Sequence, residues 1–217
     1  MTQASTGDEA VTERQRLVAT LHNVDATAPT LAGDWRARDV AQHLAAQDRL
    51  GGIPALMARA FVHRTGLRLT ETYLRSDKLA RLVNGRPRSW GWAIRVLERP
   101  PPAPVLRPSI APITLWEYFV HHEDVRRPNN RPRSTSPDLS AVIPWVLRYN
   151  AERLRGTLVR VVTVGGNEWR VGQGREVILI GTPDELVLWL SGRHRTAQID
   201  VRGDLEVARI LRTRLAI

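Results

Sequence analysis

Apolar residues recur at helical spacing over most of the chain and at alternate positions near its end. Leu17, Val18, Leu21 and Val24 share one face and predict a helix over about 8–24, with Thr6 and Glu9 as its capping box. Pro29 and Gly33 mark residues 25–34 as a loop. Val40, His43, Leu44 and Gln47 form one stripe of a second helix, about 36–50, stopped by Gly51 and Gly52. Residues 53–62 and 70–83 read as two further helices. The stretch 85–112 holds seven prolines and resists regular helix except over 90–97, because proline lacks the amide proton and its ring clashes with the preceding turn. A long helix restarts at Thr114 and ends before Pro128. Residues 129–137 form a loop, and Ser136-Pro137 starts a helix over about 138–155.

After Gly156 the period changes from helical to alternating. Residues 158–164, 168–171, 176–180 and 196–202 read as strands. Thr182-Pro183-Asp184-Glu185 predicts a capped helix over 183–191, and Asp204 caps a last one. The expected architecture is mainly α: a helical part, 1–155, followed by a small α+β part, 156–217, with no internal repeat. The glycines Gly165-Gly166 and Gly172-Gln173-Gly174 read as hairpin turns, not as a dinucleotide loop. No P-loop or nucleophile elbow is present.

Composition narrows the function. The chain has 217 residues, is 42% hydrophobic and contains no cysteine, which excludes disulfides, cysteine zinc sites and a cysteine nucleophile. No apolar run reaches the ~18 residues of a membrane span. The polar, acidic N-terminus lacks the basic-then-apolar order of a secretory signal, so a cytoplasmic protein is expected. The net charge of +10 raises nucleic-acid binding. Against it, Lys78 is the sole lysine, and the arginines spread along the whole chain without interleaved aromatics. The densest cluster, Arg126, Arg127, Arg131 and Arg133, falls at a helix end and in a loop. A solvated basic surface is therefore expected, with no specific nucleic-acid partner.

The chemistry concentrates in Glu117-Tyr118-Phe119-Val120-His121-His122-Glu123-Asp124. Glu117 and His121 stand one helical turn apart on one face, and Asp124 continues the stripe. A carboxylate and an imidazole at that spacing can converge on a divalent ion, and His43, mid-helix among apolar positions, is the best third ligand. Three protein ligands leave room for water or substrate, as in catalytic sites. Other readings stay open from spacing alone. Thr114 and Glu117 also fit a capping box, His43 fits a hydrogen-bonded core histidine, and Arg126 and Arg127 suit a solvated helix end.

The string Trp116 to Arg127, with the stretch Pro29 to Leu44 around Trp35 and His43, resembles an actinobacterial family of metal-binding proteins. That family is related to mycothiol-dependent maleylpyruvate isomerase and, more distantly, to DinB-like thiol-transferase proteins. Gly181 to Leu186 and Ser191-Gly192-Arg193 resemble its C-terminal motif. The resemblance implies a DinB-like four-helix bundle followed by a small α+β domain. It implies a divalent metal, zinc first and nickel second, held by His43, Glu117 and His121. The doubled His121-His122 leaves the second histidine ligand ambiguous, and His121 is chosen for its spacing from Glu117. Mycothiol would be the thiol cofactor, with a small electrophile as substrate for isomerisation or S-transfer. Asp124, and in the same way Asp39, would orient a ligand; Arg193 is the candidate arginine of the C-terminal part. The competing expectation is a non-enzymatic metal- or ligand-binding protein that retains the bundle.

Overall fold

The computed structural model describes residues 4–49 and 89–216. The helices expected at 53–62 and 70–83, and the Gly51-Gly52 stop, lie outside the described residues. The chain forms two compact units, Met1–Thr135 and Ser136–Ile217. Among the described residues there are seven α-helices, a short 3-10 turn and one four-stranded sheet. None of these helices is long and apolar enough to cross a membrane.

In the first unit, α1 (Thr6–Leu21) buries Ala10, Glu13, Arg14, Leu17 and Leu21 along one face. Its cap is Ser5, whose side chain accepts from the Asp8 amide while the Asp8 carboxylate accepts from the Ser5 amide. The capping box thus lies one residue before the Thr6–Glu9 pair expected from sequence. The loop to α2 (Ala37–Arg49) is pinned by the isolated bridge Pro29–Arg36 and by Thr30 Oγ1 donating to Trp35 O at 2.7 Å. Gly33 turns this loop at φ 62°, a left-handed conformation that residues with a Cβ rarely adopt. Then α3 (Trp90–Leu97) leads through a 3-10 turn, Ala103–Leu106, to α4 (Ala111–Arg126).

Helix α4 is the centre of this unit and packs along α1, with α2 also against it. From Thr114 to Val125 every residue is buried, six of them ionisable. Burying such groups is unfavourable unless each is paired, so this helix dictates where charged partners stand. It begins at Ala111 with Pro112 in the first turn, which suits proline because the first amides of a helix have no partner. Thr114 therefore caps nothing; its hydroxyl donates to Val105 O at 2.9 Å. Glu117 lies mid-helix, which removes its reading as a capping-box residue.

In the second unit, α5 (Ile143–Tyr149) is shorter than the helix expected over 138–155. Pro144 sets its start, and Asn150, at ψ 4°, ends it. Ile143, Val146 and Leu147 are buried, and α5 packs on α6 (Pro183–Leu190) and β2. The sheet runs β2 (Glu168–Val171), β1 (Thr157–Thr163), β3 (Arg175–Gly181), β4 (Asp200–Gly203). Strands β1 and β3 are parallel and both outer strands antiparallel. Alternate residues of β1 and β3 are buried, with α6 and α7 (Leu205–Leu215) packed against the sheet. The Gly165-Gly166 hairpin forms as expected, but Gly172 and Gly174 do not make one, because β3 pairs with β1 rather than with β2. At Gly174, φ is 123° and a Cβ would meet Gly156 O at 2.4 Å, so the chain crosses the end of β1 only with glycine there. Thr182 precedes α6 without capping it, and Glu185 accepts instead from the Gln198 amide at 2.8 Å, so that capping box is absent. Asp204 caps α7 as expected, accepting from the Val207 amide at 3.1 Å.

Candidate metal centre

Two helices and one loop of the first unit build the site. Helix α2 contributes His43, and α4 contributes Glu117 and, one turn later, His121. Glu117 Oε2 lies 3.6 Å from His43 Nε2 and 3.7 Å from His121 Nε2. One ligand-type atom from each of the three residues falls within 4.8 Å of the others. A tetrahedral zinc site with bonds of about 2.1 Å spaces its ligand atoms about 3.4 Å apart, so the measured separations fit a divalent ion with little movement. The side chains keep 12%, 10% and 11% of their surface exposed, so the three are largely withdrawn from bulk water.

The surroundings orient these ligands. His121 Nδ1 is 3.0 Å from Asp124 Oδ2, and Asp124 is fully buried. A carboxylate accepts the ring N–H there, so Nε2 is the nitrogen turned toward Glu117. The Asp124 carbonyl also accepts from the Leu31 amide at 3.0 Å, tying the loop that carries Trp35 to α4. The Trp35 ring stacks with His121 at 6.1 Å and 16°, and stands 5.1 Å from the His43 ring. It thus walls the centre on one side. Asp39 plays a different part from the one expected: its carboxylate accepts from the Arg36 amide at 2.8 Å at the start of α2.

His122 turns away from this cluster. Its Nδ1 is 2.6 Å from Glu13 Oε1 and its Nε2 is 2.8 Å from Thr20 Oγ1, both on α1. Successive residues on a helix are rotated by about 100°, so one of the two adjacent histidines faces α2 and the other α1. Glu13 also takes two hydrogen bonds from Arg133, at 2.6 and 2.9 Å. Burial alone would raise the Glu13 pKa, but the Arg133 and His122 contacts outweigh it and hold the carboxyl at about 2. Glu123 receives Arg126 at 2.7 Å, Arg133 at 2.8 Å and Arg127. The arginine cluster is therefore not the free basic surface expected from sequence. Arg126, Arg127 and Arg133 neutralise buried carboxylates.

A second buried network adjoins the site. Arg14 donates to the Val96, Leu97 and Arg99 carbonyls at 3.0, 2.8 and 2.9 Å, closing the C-terminal end of α3. It also pairs with Asp48 and donates to Tyr118 Oη at 2.6 Å. Burial raises the Asp48 pKa, with Arg14 and Tyr118 opposing the rise. Spacing gave no sign of Arg14 or Glu13, since an inward charge on an amphipathic helix looks like an interruption of its apolar face. Arg193, in the second unit, donates to Ser191 O at 2.6 Å in the turn after α6.

Compared with protein families and with curated proteins by sequence, the chain finds no match. Solved structures give a clear likeness. The crystal structure of the mycothiol-dependent maleylpyruvate isomerase superposes with a TM-score of 0.53, at 15% identity, over 90% of this chain and 91% of that one. A histidine-to-alanine mutant of the same enzyme superposes over the same shares with a TM-score of 0.52, also at 15% identity. The chain, a set of helices followed by a small α+β unit, thus adopts the fold of mycothiol-dependent maleylpyruvate isomerase.

Proposed function

We propose that this protein binds a divalent metal through His43, Glu117 and His121 and uses a thiol cofactor of the mycothiol kind for isomerisation or S-transfer on a small electrophile. The helical part is read as a DinB-like bundle around that metal. The observation that carries the reading is the convergence of three ligand-type atoms, with 3.6 and 3.7 Å between neighbours, in a chain of this fold. The chain has no cysteine, so a sulfur nucleophile has to come from a cofactor. A divalent cation at this position would lower the pKa of a thiol and favour the thiolate near neutral pH. The protein's own residues do the rest. Asp124 holds the His121 ring in the tautomer that presents Nε2. Glu117 offsets part of a divalent charge in a poorly hydrated setting, and Trp35 restricts water.

Metal analysis of untagged protein tests this directly. About one zinc or nickel per chain is expected, and a Glu117→Ala, His121→Ala double variant should lose it. Full metal content in that variant would remove the proposal. A thermal shift on metal addition, reversed by a chelator, reports the same binding. Metal binding without any thiol-dependent turnover would leave a binding protein, not an enzyme.

A further inference from the structure

Gln47 follows His43 by one turn of α2, and its amide nitrogen stands 2.8 Å from His43 Nε2 and 3.1 Å from Glu117 Oε2. Chemistry fixes how this amide is turned. Gln47 Nε2 donates to Glu117 Oε2, since a carboxylate oxygen accepts, so the amide NH2 faces Glu117 and not the amide oxygen. That nitrogen carries two protons and donates to both neighbours. His43 Nε2 is consequently the acceptor and bears its lone pair toward Gln47. An unprotonated imidazole nitrogen has a single lone pair, and it is the one through which His43 would bind a metal.

A hydrogen bond from Gln47 and a bond to a cation therefore exclude each other at His43 Nε2. We propose that Gln47 is a built-in competitor of the metal. In the metal-free centre it occupies the His43 nitrogen that a cation would need, and it gives that nitrogen up when a cation binds. Gln47 thus sets how tightly the centre holds its ion. This inference rests on the metal reading of the site.

The sign of its effect follows. Replacing Gln47 removes two hydrogen bonds from the metal-free protein and none at the His43 lone pair from the loaded one, so the ion should bind more tightly. The one hydrogen bond that the cation displaces, at the His43 lone pair, corresponds to a change in affinity of up to roughly tenfold. The experiment is a zinc titration of untagged protein against a chromophoric chelator. It compares wild type with Gln47→Leu, which keeps the volume, with Gln47→Ala, and with His121→Ala as the marker that zinc is bound at this centre. The expected result is zinc binding tighter by up to roughly tenfold in both Gln47 variants, a lower melting temperature for them without metal, and loss of binding in His121→Ala. Equal or weaker zinc affinity in both folded Gln47 variants, while wild type binds and His121→Ala does not, would overturn the competitor role and leave the metal reading intact. Wild type that binds zinc no better than His121→Ala would bring down both.

Discussion

At the scale of single residues, two adjacent histidines with identical chemistry have opposite surroundings. His121 meets Asp124 behind and Glu117 in front; His122 meets Glu13 and Thr20. Spacing favours His121, which has Glu117 four residues before it and Asp124 three after, but it names no partner for His122, whose neighbours at helical spacing are Tyr118, Phe119, Val125 and Arg126. What separates them is which neighbouring helix each faces, and that depends on packing far away in the chain. Substitution should divide their effects on metal affinity cleanly. His121→Ala should cost metal affinity at least 100-fold and, because it strips a partner from the buried Asp124, about 1–3 kcal/mol of metal-free stability as well. His122→Ala should leave metal affinity within a few-fold, but strip a partner from the buried Glu13 and cost about 1–3 kcal/mol of stability. Metal titration and denaturant melts on the same two variants check this. Equal losses of affinity in both would show that the ring facing α1 also reaches the ion.

At the scale of elements, the readable features were those with local causes. The α3 helix over 90–97, the Asp204 cap and the strand alternation of β1 follow from nearby residues, and the structure has them. The Trp35–His43 and Glu117–Asp124 segments were readable as motifs, and α2 and α4 bring them together. Less readable were features decided by distant contacts. Helix α4 is buried on all sides, so its apolar pattern carries no face, and its start was misplaced at Thr114. Pairing of β3 with β1 in parallel cannot be seen in a glycine-rich turn. Arg14 illustrates what such contacts contribute. One buried guanidinium closes α3 through three carbonyls and neutralises Asp48 beside α4. Arg14→Met keeps the apolar stem but leaves the half-buried Asp48 without its cation and three carbonyls without that donor. A loss of about 3–5 kcal/mol is expected in urea unfolding, by analogy with broken buried ion pairs. A loss under about 1 kcal/mol would mean that water or another side chain replaces the guanidinium.

For the whole molecule, the net charge of +10 describes the surface poorly, because much of the chemistry of charge is internal and differs between the two units. In the first unit Glu13 is held at about 2 by Arg133 and His122 against the opposing effect of burial. Its folded pKa lies below the ordinary 4.5, so its contribution is present above that pH and is lost only as pH falls toward 2. In the second unit His194 is lowered to about 4, first by burial and then by the charges of Arg212 and Arg193. Its ring lies edge-on to Trp189 at 4.7 Å, and its Nε2 is buried without a hydrogen-bond partner. Here the unfolded chain takes up the proton first, at about 6.5, so stability falls as pH drops from 6.5 toward 4. The two units should therefore respond to acid in sequence. Segment-resolved hydrogen exchange, corrected for intrinsic rates, should show protection in residues 136–217 falling between pH 6.5 and 4 while residues 89–135 hold theirs. His194→Phe keeps the contact with Trp189 and removes the group that titrates. Its advantage over wild type should be small at pH 7 and grow steadily toward pH 4. Parallel pH profiles for the two proteins would mean that another group governs acid sensitivity in this unit.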